Sequence, residues 1–282
     1  MQDERLLELV AAIRQALAAN DVDRMAPYLA PDYVEEYPQS RELIRGEGGV
    51  RRLLDGHPRP PRVISPTRLT IIGEETVAAE EVAMYGDERW WIVALLAVAD
   101  GKVTRQRAYY ARPLEPPPWR SAWVIPIPDD APPQDLGGHR DVDRDTVERY
   151  FSAQATGDLQ ALRRLRHEGF VHDMPQSGER FPSAEAYEQA NSSYPGGPPR
   201  LIPLAVSGPR DRWVLGAGTG PLRVSGRGPH WLGEAELVYP NGERWFQVQF
   251  MDFRDGKVVS ERSYWAEPFE APAWREGISE RY

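Results

Sequence analysis

The sequence has no cysteine, which removes disulfides, thiolate nucleophiles and Cys-ligated metals. Its five histidines show no HxxxH or comparable ligand spacing, so no metal site is expected. Net charge is −9 without a long basic run. Nucleic acid and anionic membranes both want clustered Lys and Arg, so neither is an expected partner. The longest apolar run, Trp90 to Ala99, is about half the length of a membrane span. Met1 to Arg5 is acidic and leads straight into a helical pattern, without the basic-then-apolar layout of a signal peptide; a cytoplasmic location is the expectation. Walker and dinucleotide glycine patterns are missing, since Gly216 to Gly220 lacks the strand-to-helix context they require. No cofactor is expected.

What is present is a duplication. A length of 282 residues suggests two domains, and 41% hydrophobic with 27% charged residues suits ordinary soluble packing. Asp100-Gly-Lys-Val103 recurs as Asp255-Gly-Lys-Val258, and residues 100–120 match 255–275 at twelve of twenty-one positions. Pro38-Gln-Ser40 recurs as Pro175-Gln-Ser177 at an offset of 137 rather than 155, so the second copy is 18 residues longer in between. The extra falls around 210–230, where Gly216 to Gly228 suggests a mobile hairpin near the cavity mouth. Pro126 to Gly138 is too rich in Pro and Gly for a helix or central strand. The expected division is a first domain at 1–125, a linker at 126–139 and a second domain at 140–282.

Each copy opens with helical spacing: Leu6, Leu9, Val10, Ile13 and Leu17, then Val147, Tyr150, Phe151 and Gln154. Asp21 and Asp158 are candidate N-caps of a second helix. A strand follows at Tyr33–Tyr37 and Phe170–Met174, then a short helix near Glu47–Asp55 and Ser183–Asn191. The rest alternates with period two; in the second copy these runs are Arg200–Val206, Trp213–Ala217, Trp231–Tyr239, Glu243–Phe253 and Lys257–Trp265. Pro240-Asn241-Gly242 and Asp255-Gly256 read as hairpin turns. Helices followed by an antiparallel meander mean an α+β fold, with N-terminal helices on a curved antiparallel sheet in each domain.

That element order, with Glu36-Tyr-Pro-Gln-Ser40, Asn191-Ser-Ser-Tyr-Pro-Gly-Gly197, Phe253-Arg-Asp-Gly-Lys257 and Tyr264 to Arg275, resembles the SnoaL-like branch of the nuclear transport factor 2-like superfamily. The superfamily hosts isomerases, cyclases, epoxide hydrolases and binding modules, so the resemblance implies fold more than activity. The register of its ketosteroid isomerases, anchored on Gly242 and Asp255-Gly256, implies that Glu234, Glu236 and Val238 face inward. Gln247, Gln249, Met251 and Phe253 would join them, with Glu261, Ser263 and Trp265. Leu237, Phe246, Val248 and Phe250 would lie on the opposite face, where the copies would pair as an intramolecular pseudo-dimer. The isomerase general base is missing, because Tyr37 and Met174 stand at its position. Tyr150 matches the oxyanion-hole Tyr, but Met251 and Leu96 replace its acidic partner.

Two functions follow from this register. One is a cofactor-independent acid–base enzyme of isomerase, cyclase or hydrolase type, acting on a small apolar organic molecule in the second domain. Its candidate catalytic residues are Glu236, Glu234 and Glu261, since carboxylates in an apolar cone can act as acid or base near neutrality. Tyr150, His172, Gln247, Gln249, Ser263, Trp265 and Trp231 are the candidate substrate contacts. The other is a non-catalytic ligand-binding or structural module. In the first domain only Glu81 and Gln106 of the inward set are polar, so its interior is expected to be largely apolar. Trp119 and Trp274 occupy equivalent places in the Pro-rich tails and are expected to clamp onto the sheets.

Overall fold

The apolar stripe Leu6, Val10, Ile13 becomes the buried face of α1 (Gln2–Ala18). Asn20, at φ +54°, ends that helix, and the Asp21 side chain accepts a hydrogen bond from Arg24 N to open α2 (Val22–Met25). Such a cap is worth about 1 kcal/mol. The first copy continues as β1 (Leu29–Tyr37), β2 (Glu42–Arg45), α3 (Gly46–Gly56), β3 (Arg62–Val63), β4 (Arg68–Ile71), β5 (Thr76–Tyr85), β6 (Glu88–Ala99) and β7 (Lys102–Ala111). After β8 (Ile125–Pro126) the second copy repeats the plan with α4 (Arg144–Thr156) and α5 (Leu159–Leu165), the latter capped by Asp158. Next come β9 (Arg166–Met174), β10 (Glu179–Phe181), α6 (Ala184–Ser192), β11 (Arg200–Pro203), β12 (Arg223–Arg227), β13 (His230–Val238), β14 (Arg244–Arg254), β15 (Lys257–Ala266) and finally β16 (Glu280–Arg281).

The computed structural model describes residues 2–65, 67–128, 144–203 and 223–282. Most of the expected linker, the strand expected at Trp213–Ala217 and most of the inserted stretch lie outside the described residues. No helix among them is long and apolar enough to cross a membrane.

The fold is α+β, with one sheet per copy. The first sheet runs β16-β2-β1-β7-β6-β5-β3 with β4 also on β5; the second runs β11-β13-β14-β15-β9-β10-β8 with β12 also on β13. In each, the long meander is antiparallel and the strand after the helices joins it in parallel, β1 on β7 and β9 on β15. Asp100-Gly101 and Asp255-Gly256 all take positive φ, between +50° and +73°. That is the backbone of a two-residue type I′ hairpin, whose twist matches its strands.

The repeated Pro-Gln-Ser has a structural reason. Gln39 donates to Tyr110 O at 2.9 Å and accepts from Tyr110 N at 2.7 Å. Gln176 treats Trp265 identically, at 2.9 and 2.6 Å. Each glutamine thus continues the hydrogen bonding of the last long strand with its side-chain amide.

The copies that repeat in sequence and the units that pack are different sets of residues. One compact unit comprises 1–113 with 266–282, the other 114–265. The tail after each last long strand therefore belongs to the unit of the other copy. In the first unit Phe269 N bonds Gln39 O at 3.2 Å, Arg275 Nη1 bonds Glu42 at 2.9 Å and β16 extends β2. In the second, Leu114 N bonds Gln176 O at 3.1 Å, Arg120 pairs with Glu179 and β8 extends β10.

Candidate binding site in the second unit

Cross-strand pairs lie on one face of an antiparallel sheet, so pairing decides which residues look inward. Gly233, Ala235 and Leu237 of β13 oppose Gln249, Gln247 and Trp245 of β14. This is the inner face: a Cβ on Gly233 would come within 2.5 Å of the Phe151 ring on α4, and Ala235, Met251 and Phe253 share a core cluster with Tyr150 and Phe151. Glu234 and Glu236 pair with Val248 and Phe246 on the opposite face. Their inward placement is therefore corrected, as is the outward placement of Leu237. Glu236 is held by Arg244 through two bonds of 2.6 and 2.7 Å.

The reason is the hairpin. Five residues separate Val238 from Arg244, whereas two separate Tyr85 from Glu88 in the first copy. An odd difference slips the pairing by one residue, and a one-residue slip turns every side chain to the other face.

On the inner face lies a cavity of about 1020 Å³. Aromatic side chains form much of its wall: Trp119, Tyr187, Tyr194, Trp245 and Trp265. Gln154, Arg166, Glu188, Gln247 and Gln249 supply polar groups. Three sequence candidates, Gln247, Gln249 and Trp265, thus line the cavity. Trp231 packs in the helix–sheet core instead, its indole N–H donating to Gly228 O at 3.0 Å.

Tyr150, His172, Glu261 and Ser263 are fully buried and adjoin the cavity through its lining residues. Glu261 Oε1 accepts hydrogen bonds from the Tyr150 hydroxyl and from Gln154 Nε2, the latter at 3.0 Å. Arg166 Nε donates to Tyr150 Oη at 3.1 Å, and its guanidinium lies 4.6 Å from the centre of Phe170 and 4.9 Å from that of Tyr187. His172 Nδ1 stands 2.9 Å from Glu261 Oε2, although neither ring nitrogen has an aligned hydrogen bond. The His172 ring leans on Tyr187, with centroids 4.5 Å apart. Ser263 Oγ is 3.5 Å from Gln247 Nε2.

Burial alone would raise the Glu261 carboxyl, but His172, Arg166 and the Tyr150 hydroxyl outweigh it and hold it below its ordinary value. Burial, reinforced by Glu261, pushes the Tyr150 phenol well above its ordinary range. Tyr187 is pushed up to about 12, again chiefly by burial. The group is thus an ionised carboxylate facing a protonated phenol in a dry setting, with Gln154 and Arg166 leading from it to the cavity. Among the described residues no three His, Asp or Glu side chains gather as metal ligands.

The first unit differs from the apolar interior expected of it. Arg14 and Glu81, both nearly inaccessible, form a two-bond ion pair, and Thr67 Oγ1 donates to the same carboxylate at 3.1 Å. Glu35 accepts from Tyr33, Tyr37 and Gln106 at 3.3, 2.7 and 2.9 Å. The apolar positions at Ala79, Ala94 and Leu96 remain core, but helix and first-strand residues bring buried charge to them.

Gln154, Arg166, Tyr187 and Glu188 were not among the sequence-derived contacts. Position-by-position comparison of the copies carries a signal for two of them. At the offset of 137, Leu17 becomes Gln154 and the buried Leu29 becomes the equally buried Arg166.

Residues 10–106 match the family model of the SnoaL-like domain. An NTF-2 like protein of unknown function from Burkholderia xenovorans LB400 is 30% identical, with 45% of this chain and 99% of that one covered at a TM-score of 0.41. A candidate ketosteroid isomerase from Kribbella flavida is also 30% identical, over 45% of this chain and 93% of that one, at 0.41. An LEH-like epoxide hydrolase of M. tuberculosis is 25% identical, over 38% and 83%, at 0.33. No curated protein matches the sequence. Residues 10–106, within the first copy, are thus a member of the SnoaL-like domain family.

Proposed function

We propose that the second unit binds a small, largely apolar organic molecule in this cavity. The observation that carries the reading is the cavity itself: about 1020 Å³ with aromatic walls and a few convergent amides. Small-molecule sites are typically a few hundred to roughly 1,000 Å³, mostly apolar, with few polar groups that fix orientation. Gln247 and Gln249 would orient the ligand, and the aromatic rings would supply contact area. Three lining residues are tryptophans, so emission quenching with a rise in Tm would report binding from a panel of neutral apolar compounds. Gln247→Ala with Gln249→Ala is expected to weaken the best binder at least tenfold. A panel without a binder, or equal binding by the double variant, refutes the reading.

A second reading, acid–base chemistry, rests on the ionised Glu261 between His172 and Tyr150. Glu261, held ionised, would accept a proton, with His172 beside it and Tyr150 as a hydrogen-bond donor. Glu234 and Glu236 leave the catalytic set because they lie on the other sheet face. Under this reading Glu261→Gln abolishes turnover of a bound compound while leaving its Kd unchanged. Retained turnover, or joint loss of binding and folding, removes Glu261 from that role.

A further inference from the structure

Residues 114–128 follow the last long strand of the first copy yet belong to the second unit, and five of them, Leu114, Glu115, Pro117, Trp119 and Arg120, line its cavity. Trp119 is half-buried and packs in a cluster with Met174, Phe181 and Trp265. Its ring meets Tyr194 at 4.9 Å and 63°. The next residue pins it: Arg120 Nε reaches both Glu179 carboxylate oxygens, at 3.1 and 3.2 Å, and Nη2 reaches Ser177 Oγ at 3.4 Å. Backbone bonds hold the segment on either side, Leu114 N to Gln176 O and Ile127 N to Gly178 O at 2.9 Å.

The equivalent tail of the first unit makes the same anchors with a different outcome. Arg275 bonds Glu42 and Trp274 meets His57 at 4.7 Å, but Trp274 packs against the continuous apolar core of that unit. The pin is therefore a device of both copies, while the ring it holds faces a cavity in the second.

We infer that the tail encoded by the first copy is a wall of the second copy's ligand site, with Trp119 as a ligand-contacting, specificity-determining residue and Arg120–Glu179 as the positioning pair. This rests on the cavity being a binding site. A planar, apolar ligand face suits the wall, because an indole offers a large rigid surface at low entropic cost. The site would then need both copies, since the first supplies a side that the second does not encode.

The test uses the full chain and its lack of cysteine. Gln247→Cys places one thiol in the cavity, and its reaction with a neutral maleimide reports access without any ligand. Adding Trp119→Ala is expected to speed labelling at least tenfold; adding Trp274→Ala is expected to leave it unchanged. In the otherwise native sequence, Nile red, a neutral planar dye, is expected to bind at least tenfold more weakly to Trp119→Ala and unchanged to Trp274→Ala. Arg120→Gln should shift both readouts in the direction of Trp119→Ala, with circular dichroism and Tm confirming a folded chain. Unchanged labelling in folded Trp119→Ala overturns the wall, as do equal effects at Trp274. If labelling responds but neither Nile red nor the compound panel binds the native chain, the tail is a wall of a space that is not a binding site. The inference then falls with the binding reading, for a distinguishable reason.

Discussion

The two units share a shell and fill it oppositely. At one parallel strand pairing the first unit places Glu35 beside Gln106, and the second places His172 beside Glu261. The carboxylate has changed strands. Around it, Ile13 and Leu17 give way to Tyr150 and Gln154, while Arg14 and Tyr33 give way to Phe151 and Phe170. Each unit thus assembles a buried polar group from positions where the other is largely apolar. In the first, Arg14 consumes the Glu81 carboxylate and the Glu35 acceptors are met by phenols and an amide; in the second, the group opens toward a cavity through Gln154 and Arg166. An unchanged backbone plan can carry a closed core or the floor of a cavity, depending on which helix positions are polar.

The largest expected effect breaks the closed core. Arg14→Ala strands the Glu81 carboxylate, and removing one partner of a buried pair typically costs about 3–5 kcal/mol. Urea unfolding should show a correspondingly lower midpoint for the first unit. Installing the second copy's residues together, Arg14→Phe with Glu81→Ala, should restore most of that loss, because no charge is left buried. If the double variant is as unstable as the single, the interiors are not interchangeable in this way.

A smaller effect tests how the second unit is packed. Gly233 stands where the pairing in the first copy puts Ala79, and Phe151 occupies the space a methyl would need. Gly233→Ala should lower stability by about 1–3 kcal/mol, the usual range for overpacking. Adding Phe151→Leu should recover part of it in thermal unfolding. A neutral Gly233→Ala would mean that α4 stands further from β13.

The smallest effect is one of pH. Glu261 is held below its ordinary value of 4.5, so its contribution to stability is fully present above that value. It is lost as pH falls through the lower folded-state value. Below pH 4.5 the second unit should lose stability more steeply in the native sequence than in Glu261→Gln. Parallel Tm profiles for the two proteins would remove the ionised carboxylate from the account.

Period-two alternation and the hairpin turn at Asp255-Gly256 made β14 and β15 legible, and the register that the family resemblance anchored on that turn implied the inward facing of Gln247, Gln249, Glu261, Ser263 and Trp265. The face of β13 was not legible. Its pattern, Glu234 and Glu236 between apolar neighbours, fits either side of a sheet covered on both faces, and only the hairpin length decides. Arg166 was hidden for another reason: a charge at the start of a strand reads as solvent-facing until Leu29 is laid beside it. The docking of the tails escaped altogether, because a tandem repeat aligns Trp119 with Trp274 whichever unit each one joins.

The tail arrangement bears on how the chain is made. The first unit holds Glu42 against Arg275, 233 residues apart in sequence, and takes its edge strand from Glu280–Arg281. Domains generally fold as units while synthesis proceeds from the N-terminus, at roughly 5–20 residues per second. A nascent chain that has completed β7 therefore waits many seconds, with Glu42 lacking Arg275 and the edge of β2 open, for residues that follow the whole of the second unit. The second unit has no such wait, since its tail is made before its body. The order of completion inverts the order of synthesis.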